Sequence, residues 1–168
     1  MKNLLLVLML MAGTSAGVMA QKFGHLNSQL LLIEMPEVKS ADTQLETYQK
    51  QLLTQGEQMV QAFQTKYQAY EAEAQSGKFS PLQLQTKETE LQKEYETIQQ
   101  YEVTIQNKLA EKRGELYQPL LDRVKVAIEK IGKENGYTMI FDTSVAGAIV
   151  HAEDSEDIMA MVKAELGM

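Results

Sequence analysis

The chain has 168 residues, no cysteine, no tryptophan and a formal net charge of −7. That acidic balance argues against nucleic acid or an anionic lipid surface as partner, because both need a basic footprint. Without cysteine there is no disulfide to stiffen the fold and no thiol to carry a lipid anchor.

The first twenty residues read as a secretory signal peptide. Lys2 gives a positive start, Leu4 to Ala12 an unbroken apolar run, and Val18-Met19-Ala20 a small-residue cleavage site. Cleavage between Ala20 and Gln21 is expected, with export to the periplasm. The apolar run is shorter than the roughly 20 residues that span a bilayer, so no stable membrane anchoring is expected. Lys2 is the only charged side chain of this leader, so its removal leaves a net charge of −8. Four of the ten methionines also lie in the leader, so methionine content does not signal a soft binding groove.

Beyond the leader, Lys22 to Asn27 alternates like a strand, and Ser28 is placed to cap a short helix through Ile33. Pro36 and the acidic residue after it open a long helix. From Ala41 to Tyr117 the pattern is polar and helical, broken once at residues 75–81. Gly77 can close the first helix in a left-handed conformation, Ser80 can cap the second, Pro81 fits its first turn, and Gln83 completes a capping box. Two antiparallel arms are expected. Each has about 35 residues and, at 1.5 Å per residue, reaches on the order of 50 Å.

The apolar content of the arms is thin. Leu91, Tyr95, Ile98, Tyr101, Ile105, Leu109, Leu116 and Leu120 make one narrow seam on the return arm. Leu45, Tyr48, Leu52, Met59, Phe63, Tyr67, Tyr70 and Ala74 answer it on the outgoing arm. Folding at Gly77 brings Phe63 near Ile98 and Leu52 near Leu109. The seam is that of a coiled coil, and its period of eleven favours a nearly straight pairing.

The remaining residues form a small body split between the chain ends. Leu120 to Lys133 continues the return helix until Asn135-Gly136 stops it. Tyr137 to Asp142 and Ala148 to Ala152 read as two strands joined by a turn, and Asp154 or Ser155 as the cap of a final helix. Pro119 removes a helical amide where arm meets body, which makes it a hinge or the start of a new helix. The body is too small for a large core and has sheet edges to cover, so a symmetric homo-oligomer is expected. Phe23, Leu26, Ile140 and Ile149 are its candidate contact positions. The fold class is therefore α+β, mostly α, with residues 21–40 and 119–168 as body and 41–118 as a helical-hairpin tentacle.

Chemistry is sparse. His25 and His151 fall in expected strands without a cysteine or carboxylate at ligand spacing, and Glu153, Asp154, Glu156 and Asp157 suit the positive end of a helix better than a metal site. No glycine-rich phosphate loop or nucleophile elbow is present, so no enzyme, no cofactor and no metal is expected.

The leader, the strand and short helix after it, the hairpin of long arms, and the closing run Tyr137-Thr138-Met139-Ile140-Phe141-Asp142 to Ala148-Ile149-Val150-His151 with a terminal helix resemble the OmpH or Skp family of periplasmic chaperones. The resemblance covers essentially the whole mature chain. It implies a homotrimer with three helical tentacles around a cavity, holding unfolded outer-membrane proteins against aggregation without ATP. The family's tentacles are often basic. Here Lys and Arg between Gln44 and Gln118 number 8 against 11 Asp and Glu, so charge-driven capture and lipopolysaccharide binding are not carried over. Tyr48, Tyr70, Phe79, Leu82 and Leu84 are the candidate client contacts. The competing class is an exported coiled-coil spacer or adaptor of the cell envelope, which would have no client.

Overall fold

The computed structural model describes residues 21–147, 149–151 and 154–168. The leader, up to Ala20 on the near side of the expected cleavage site, lies outside the described residues. The elements follow in the order β1 (Phe23–Leu26), α1 (Ser28–Glu34), α2 (Pro36–Gln75), α3 (Pro81–Glu134), β2 (Met139–Asp142), β3 (Ser155–Asp157) and α4 (Met159–Leu166). The chain is mostly helical with one small sheet. It forms two compact units, one of Leu30–Val126 and one made from the two chain ends, through Gln29 and from Ala127 to Met168.

In the unit built from the chain ends, β1 is the central strand of a three-stranded sheet ordered β2-β1-β3. Both pairings are parallel: Phe23 to Leu26 register with Met139 to Asp142, and Phe23 to His25 with Ser155 to Asp157. Parallel neighbours cannot be joined by a tight turn, which is why each strand pair is separated by a long crossover. The inner face carries Gly24, which meets Ile158 at the start of α4, and the buried Leu26; Ile158 and, within α4, Val162 are fully buried. A methyl on Gly24 would lie 3.1 Å from Ile158 Cγ2 and 3.2 Å from the Tyr137 ring. The glycine thus sets how closely sheet and helix approach. Gly132 does the same for α3, since a methyl there would stand 3.2 Å from Ile140 Cδ1.

The expected second C-terminal strand is displaced. Ile149 to His151 is not strand, Ala148 and Ala152 lie outside the described residues, and the segment that pairs is Ser155-Glu156-Asp157. Ile149-Val150-His151 has the higher strand propensity, but position is fixed by tertiary partners. Lys22 Nζ pairs with Glu156 at 3.1 Å, His25 Nδ1 lies 2.8 Å from Ser155 Oγ, and Ile158 must follow at once to fill the core. Of the acidic run expected to sit at the helix start, Glu153 lies outside the described residues, Asp154 is in a bend, and Glu156 and Asp157 are strand. Asp157 alone keeps a capping contact, its Oδ1 accepting from the Met159 amide at 2.9 Å. Gly167 closes α4 at φ 79°.

In the other unit, α2 starts at Pro36 and runs 40 residues, about 60 Å at the helical rise. Its end and the start of α3 follow the sequence closely. Gly77 has φ 68°, the Ser80 amide donates to Gln83 Oε1 at 2.8 Å, and the Gln83 amide lies 3.4 Å from Ser80 Oγ. Leu52 on α2 and Leu91 and Ile105 on α3 are buried, whereas Tyr67 and Tyr95 stay 44% and 46% exposed. The ring that meets Phe63 is Tyr95, one turn from the expected Ile98, with centroids 6.0 Å apart. Polar ties cross between the helices: Lys66 with Glu94 at 2.8 Å, Arg123 with Glu37 at 2.9 Å, and Tyr117 with Asp42. Pro119 lies inside α3, which runs through it without a break, so it does not begin a new helix.

Two glycines give opposite expectations. Gly24→Val forces atoms into the Ile158 and Tyr137 contact and should cost about 1–3 kcal/mol. Gly114 sits in the interior of α3, and a methyl added there would meet nothing within 4 Å, so Gly114→Ala should gain about 0.5–1 kcal/mol. Urea unfolding midpoints measure both, and a stabilised Gly24→Val would contradict the packing described.

Candidate functional site

The long helices expose polar faces with apolar side chains set among them. Rings form a continuous line towards the tip: Tyr95 to Phe63, Phe63 to Tyr67 at 6.1 Å, Tyr67 to Tyr70 at 6.4 Å, and Tyr70 stacked on Phe79 at 6.5 Å with 18° between planes. Such tilted and offset pairs add roughly 0.5–1.5 kcal/mol each beyond their buried area. The Tyr70 hydroxyl donates to Glu88 Oε1 at 2.8 Å, and that bond, helped by desolvation, raises the tyrosine pKa above its usual value.

These contacts sort the candidate client residues. Tyr70 and Phe79 hold the tip together through their stacked rings, and Leu84 is half-buried. Tyr48 is half-buried beside Lys108 and Lys112. Leu82 alone stands clear, 74% exposed. A second feature falls outside all the expected sites: a groove of about 480 Å³ between the helices that includes Leu53, Val60, Ile98 and Ile105. Its signal is present in Leu53 and Val60, apolar residues seven apart that lie off the seam. A groove of about 490 Å³ nearer the tip is more polar, lined by Lys66, Glu73, Lys87, Glu90 and Glu94 among others.

The sheet offers a different surface. Residues in register share a face, so Phe23, Met139 and Phe141 stand together on the side away from Gly24 and Leu26. The Phe23 and Phe141 rings are 6.1 Å apart, and Met139 and Phe141 are 55% and 38% exposed. Of the four candidate contact positions, Phe23 lies on this open face. Leu26 is 2% exposed and Ile140 faces Gly132, so both serve the interior of a single chain. Ile149 lies in the segment between β2 and β3, half-buried.

The end of β2 is tied to the start of α1. Asp142 Oδ1 accepts from the Ser28 amide at 3.1 Å and the Ser144 amide at 2.9 Å, and Oδ2 accepts from Ser28 Oγ at 2.5 Å. The serine expected to cap the helix is thus itself held by an aspartate over a hundred residues away. Desolvation pushes the Asp142 pKa up, but the Ser28 hydroxyl and the two amides outweigh it and leave the pKa below the usual 3.8. At β1, the contact with Glu156 raises the Lys22 pKa, and its Nζ also lies 4.1 Å above the Tyr137 ring. Among the described residues no group of side chains could hold a metal ion, and no helix is long and apolar enough to cross a membrane.

A small parallel sheet with an apolar face left exposed, together with a pair of long and thinly apolar helices, is the architecture of this chain. The chain belongs to the OmpH-like family, non-enzymatic chaperones: the family model for outer membrane protein (OmpH-like) matches residues 22–166. No curated protein matches. A crystal structure described as a putative outer membrane chaperone (OmpH-like) from Caulobacter crescentus CB15 shares the fold, with a TM-score of 0.71 and 16% sequence identity over 87% of this chain and 83% of its own.

The Asp142 network makes a pH-dependent contribution to stability. Its folded pKa is depressed, so the contribution is complete above the usual 3.8 and is lost as pH falls through the lower folded value. Asp142→Asn should cost about 1–2 kcal/mol at neutral pH. The gap between the two proteins should close on acidification below that range. Parallel urea titrations across pH test this, and a gap that stays constant would show that the charge is not what binds.

Proposed function

We propose that this protein is an ATP-independent periplasmic holdase that binds unfolded outer-membrane proteins and keeps them from aggregating. The observation that carries this reading is the surface of the long helices, where isolated apolar side chains such as Leu82 and Val103, 74% and 64% exposed, project from Gln- and Glu-rich faces. An unfolded barrel strand needs its apolar face covered, and a holder must also let go. Many weak, separated contacts satisfy both demands, because their combined strength comes from simultaneous engagement. The OmpH-like match over residues 22–166 supports the same reading, and the apolar run before Gln21 supports export.

The working form is a homotrimer. Phe23, Met139 and Phe141 form an apolar face that water would otherwise cover, and β2 and β3 are edge strands with unpaired backbone groups. A second and third copy would cover both. Pro119 is the weak point of α3, since its ring removes the amide that would bond the Glu115 carbonyl, and it is the position about which the arms of the trimer would flex.

Mass by light scattering after size separation tests assembly. Three copies are expected at micromolar concentration and fewer for Phe141→Glu, whereas a stable wild-type monomer would refute the assembly. Turbidity of a denatured outer-membrane protein diluted from urea tests the activity. Near-stoichiometric chaperone should suppress it, and an unchanged signal would favour the envelope spacer. Binding of an acidic client should hold steady or tighten as salt rises and the Debye length falls from about 10 Å to about 3 Å. Phe79→Ser or Leu82→Ser should weaken it more than Lys78→Gln or Lys87→Gln.

A further inference from the structure

Resting on the chaperone reading, the geometry points to the groove at Leu53 and Val60 as a docking site for client segments whose apolar residues are flanked by lysine or arginine. Leu53 and Val60 are 48% and 39% exposed, and their spacing of seven sets them two turns apart on one side of α2. Ile98 and Ile105 repeat that spacing on α3 and line the same groove. Between Leu53 and Val60 stands Gly56, where the nearest neighbour of an added methyl would be the Tyr101 ring at 3.4 Å. The missing side chain lets the Tyr101 ring lie against the α2 backbone, so that ring and glycine together line the floor. At about 480 Å³ the groove has the size of a pocket for one or two side chains.

Charge identifies the occupant. Glu57 on α2 and Glu102 on α3 both line this groove. Among the described residues neither carboxylate has an ion-pair or hydrogen-bond partner. The tip groove differs, since its Lys66 is paired with Glu94 and its Lys87 with Glu90. Two unpartnered carboxylates beside an apolar floor attract a cation carried on an aliphatic stem. Lysine and arginine have that form, laying methylenes on an apolar surface while the head reaches a carboxylate. A segment flanked by acidic residues would instead place like charges together. Apolar contact would hold any unfolded segment at low affinity, and Glu57 and Glu102 would select among segments.

The natural absence of cysteine allows a single cross-linking position. Gln61→Cys places a photo-cross-linker on the groove lining, and Gln85→Cys places one outside it. The probes are two synthetic peptides with one Leu/Phe core, flanked by Lys in one and by Glu in the other, added to the full-length assembled protein. The Lys-flanked peptide should bind on the order of fivefold tighter at low salt and cross-link mainly at Gln61→Cys. The preference should largely vanish near 1 M salt, where the Debye length is about 3 Å. Glu57→Gln combined with Glu102→Gln should abolish it at low salt, and Leu53→Ser with Val60→Ser should weaken both peptides. Equal affinities, a preference that survives the double Gln change, or equal cross-linking at Gln85→Cys would overturn the assignment. If aggregation is still suppressed, only the groove assignment falls; if suppression is also absent, the chaperone reading falls with it.

Discussion

The fold depends on the insertion of β1 between two strands from the far end of the chain. Four residues, Phe23 to Leu26, supply both parallel pairings of the sheet. They also supply, through Gly24 and Leu26, the inner surface on which Ile158 and Val162 close. Loss of this strand would leave β2 and β3 with no neighbour and the core without its floor. The closure is reinforced at both ends of β1 by side chains: Lys22 with Glu156 at one end, and Asp142 with Ser28 just beyond the other. Closing a chain over more than a hundred residues has an entropic cost that grows only slowly with length. A few well-packed contacts are therefore enough to hold the two ends together.

The long helices are stabilised differently. Their shared core is thin, with Leu52, Leu91 and Ile105 as its buried members along the middle and tip-ward stretch. The remaining support comes from rings in sequence along the seam and from ties such as Lys66 with Glu94 and Arg123 with Glu37. The charged groups in these ties are largely exposed, and exposed pairs contribute about 0–1 kcal/mol each. Apolar and aromatic contact must therefore dominate. A pair of helices held by many small terms opens locally at low cost. That property would suit the holdase role proposed for this surface.

Charge limits what the long helices can attract. The stretch from Gln44 to Gln118 carries more acid than base, and most of its lysines answer a carboxylate on the same or the facing helix. Such a surface gives no long-range attraction to an acidic chain, so under the proposed function affinity has to come from short-range apolar contact. Short-range contact discriminates poorly between unfolded chains. Carboxylates left without a partner beside an apolar floor are the elements able to add selectivity.

Local rules determined much of what the sequence shows unaided. The break at residues 75–81 was legible because Gly77, Ser80, Pro81 and Gln83 each answer a backbone requirement within a few residues, and all four sit as expected. The start of α2 at Pro36 and the end of α3 before Gly136 follow from the same local logic, as does β1. Only the tertiary structure decided the C-terminal pairing. Ile149 to His151 has the composition of a strand, yet Ser155 to Asp157 pairs, because Lys22, His25 and the buried Ile158 fix its place from outside the segment. The same holds for which residues face out. Periodicity marked Leu26 and Ile140 as apolar but could not say that their face is closed by α4 and α3 while Phe23, Met139 and Phe141 stay open. The groove at Leu53 and Val60 was hidden for a related reason: it exists only when helical segments some forty residues apart in sequence lie side by side, and no local pattern encodes the space between them.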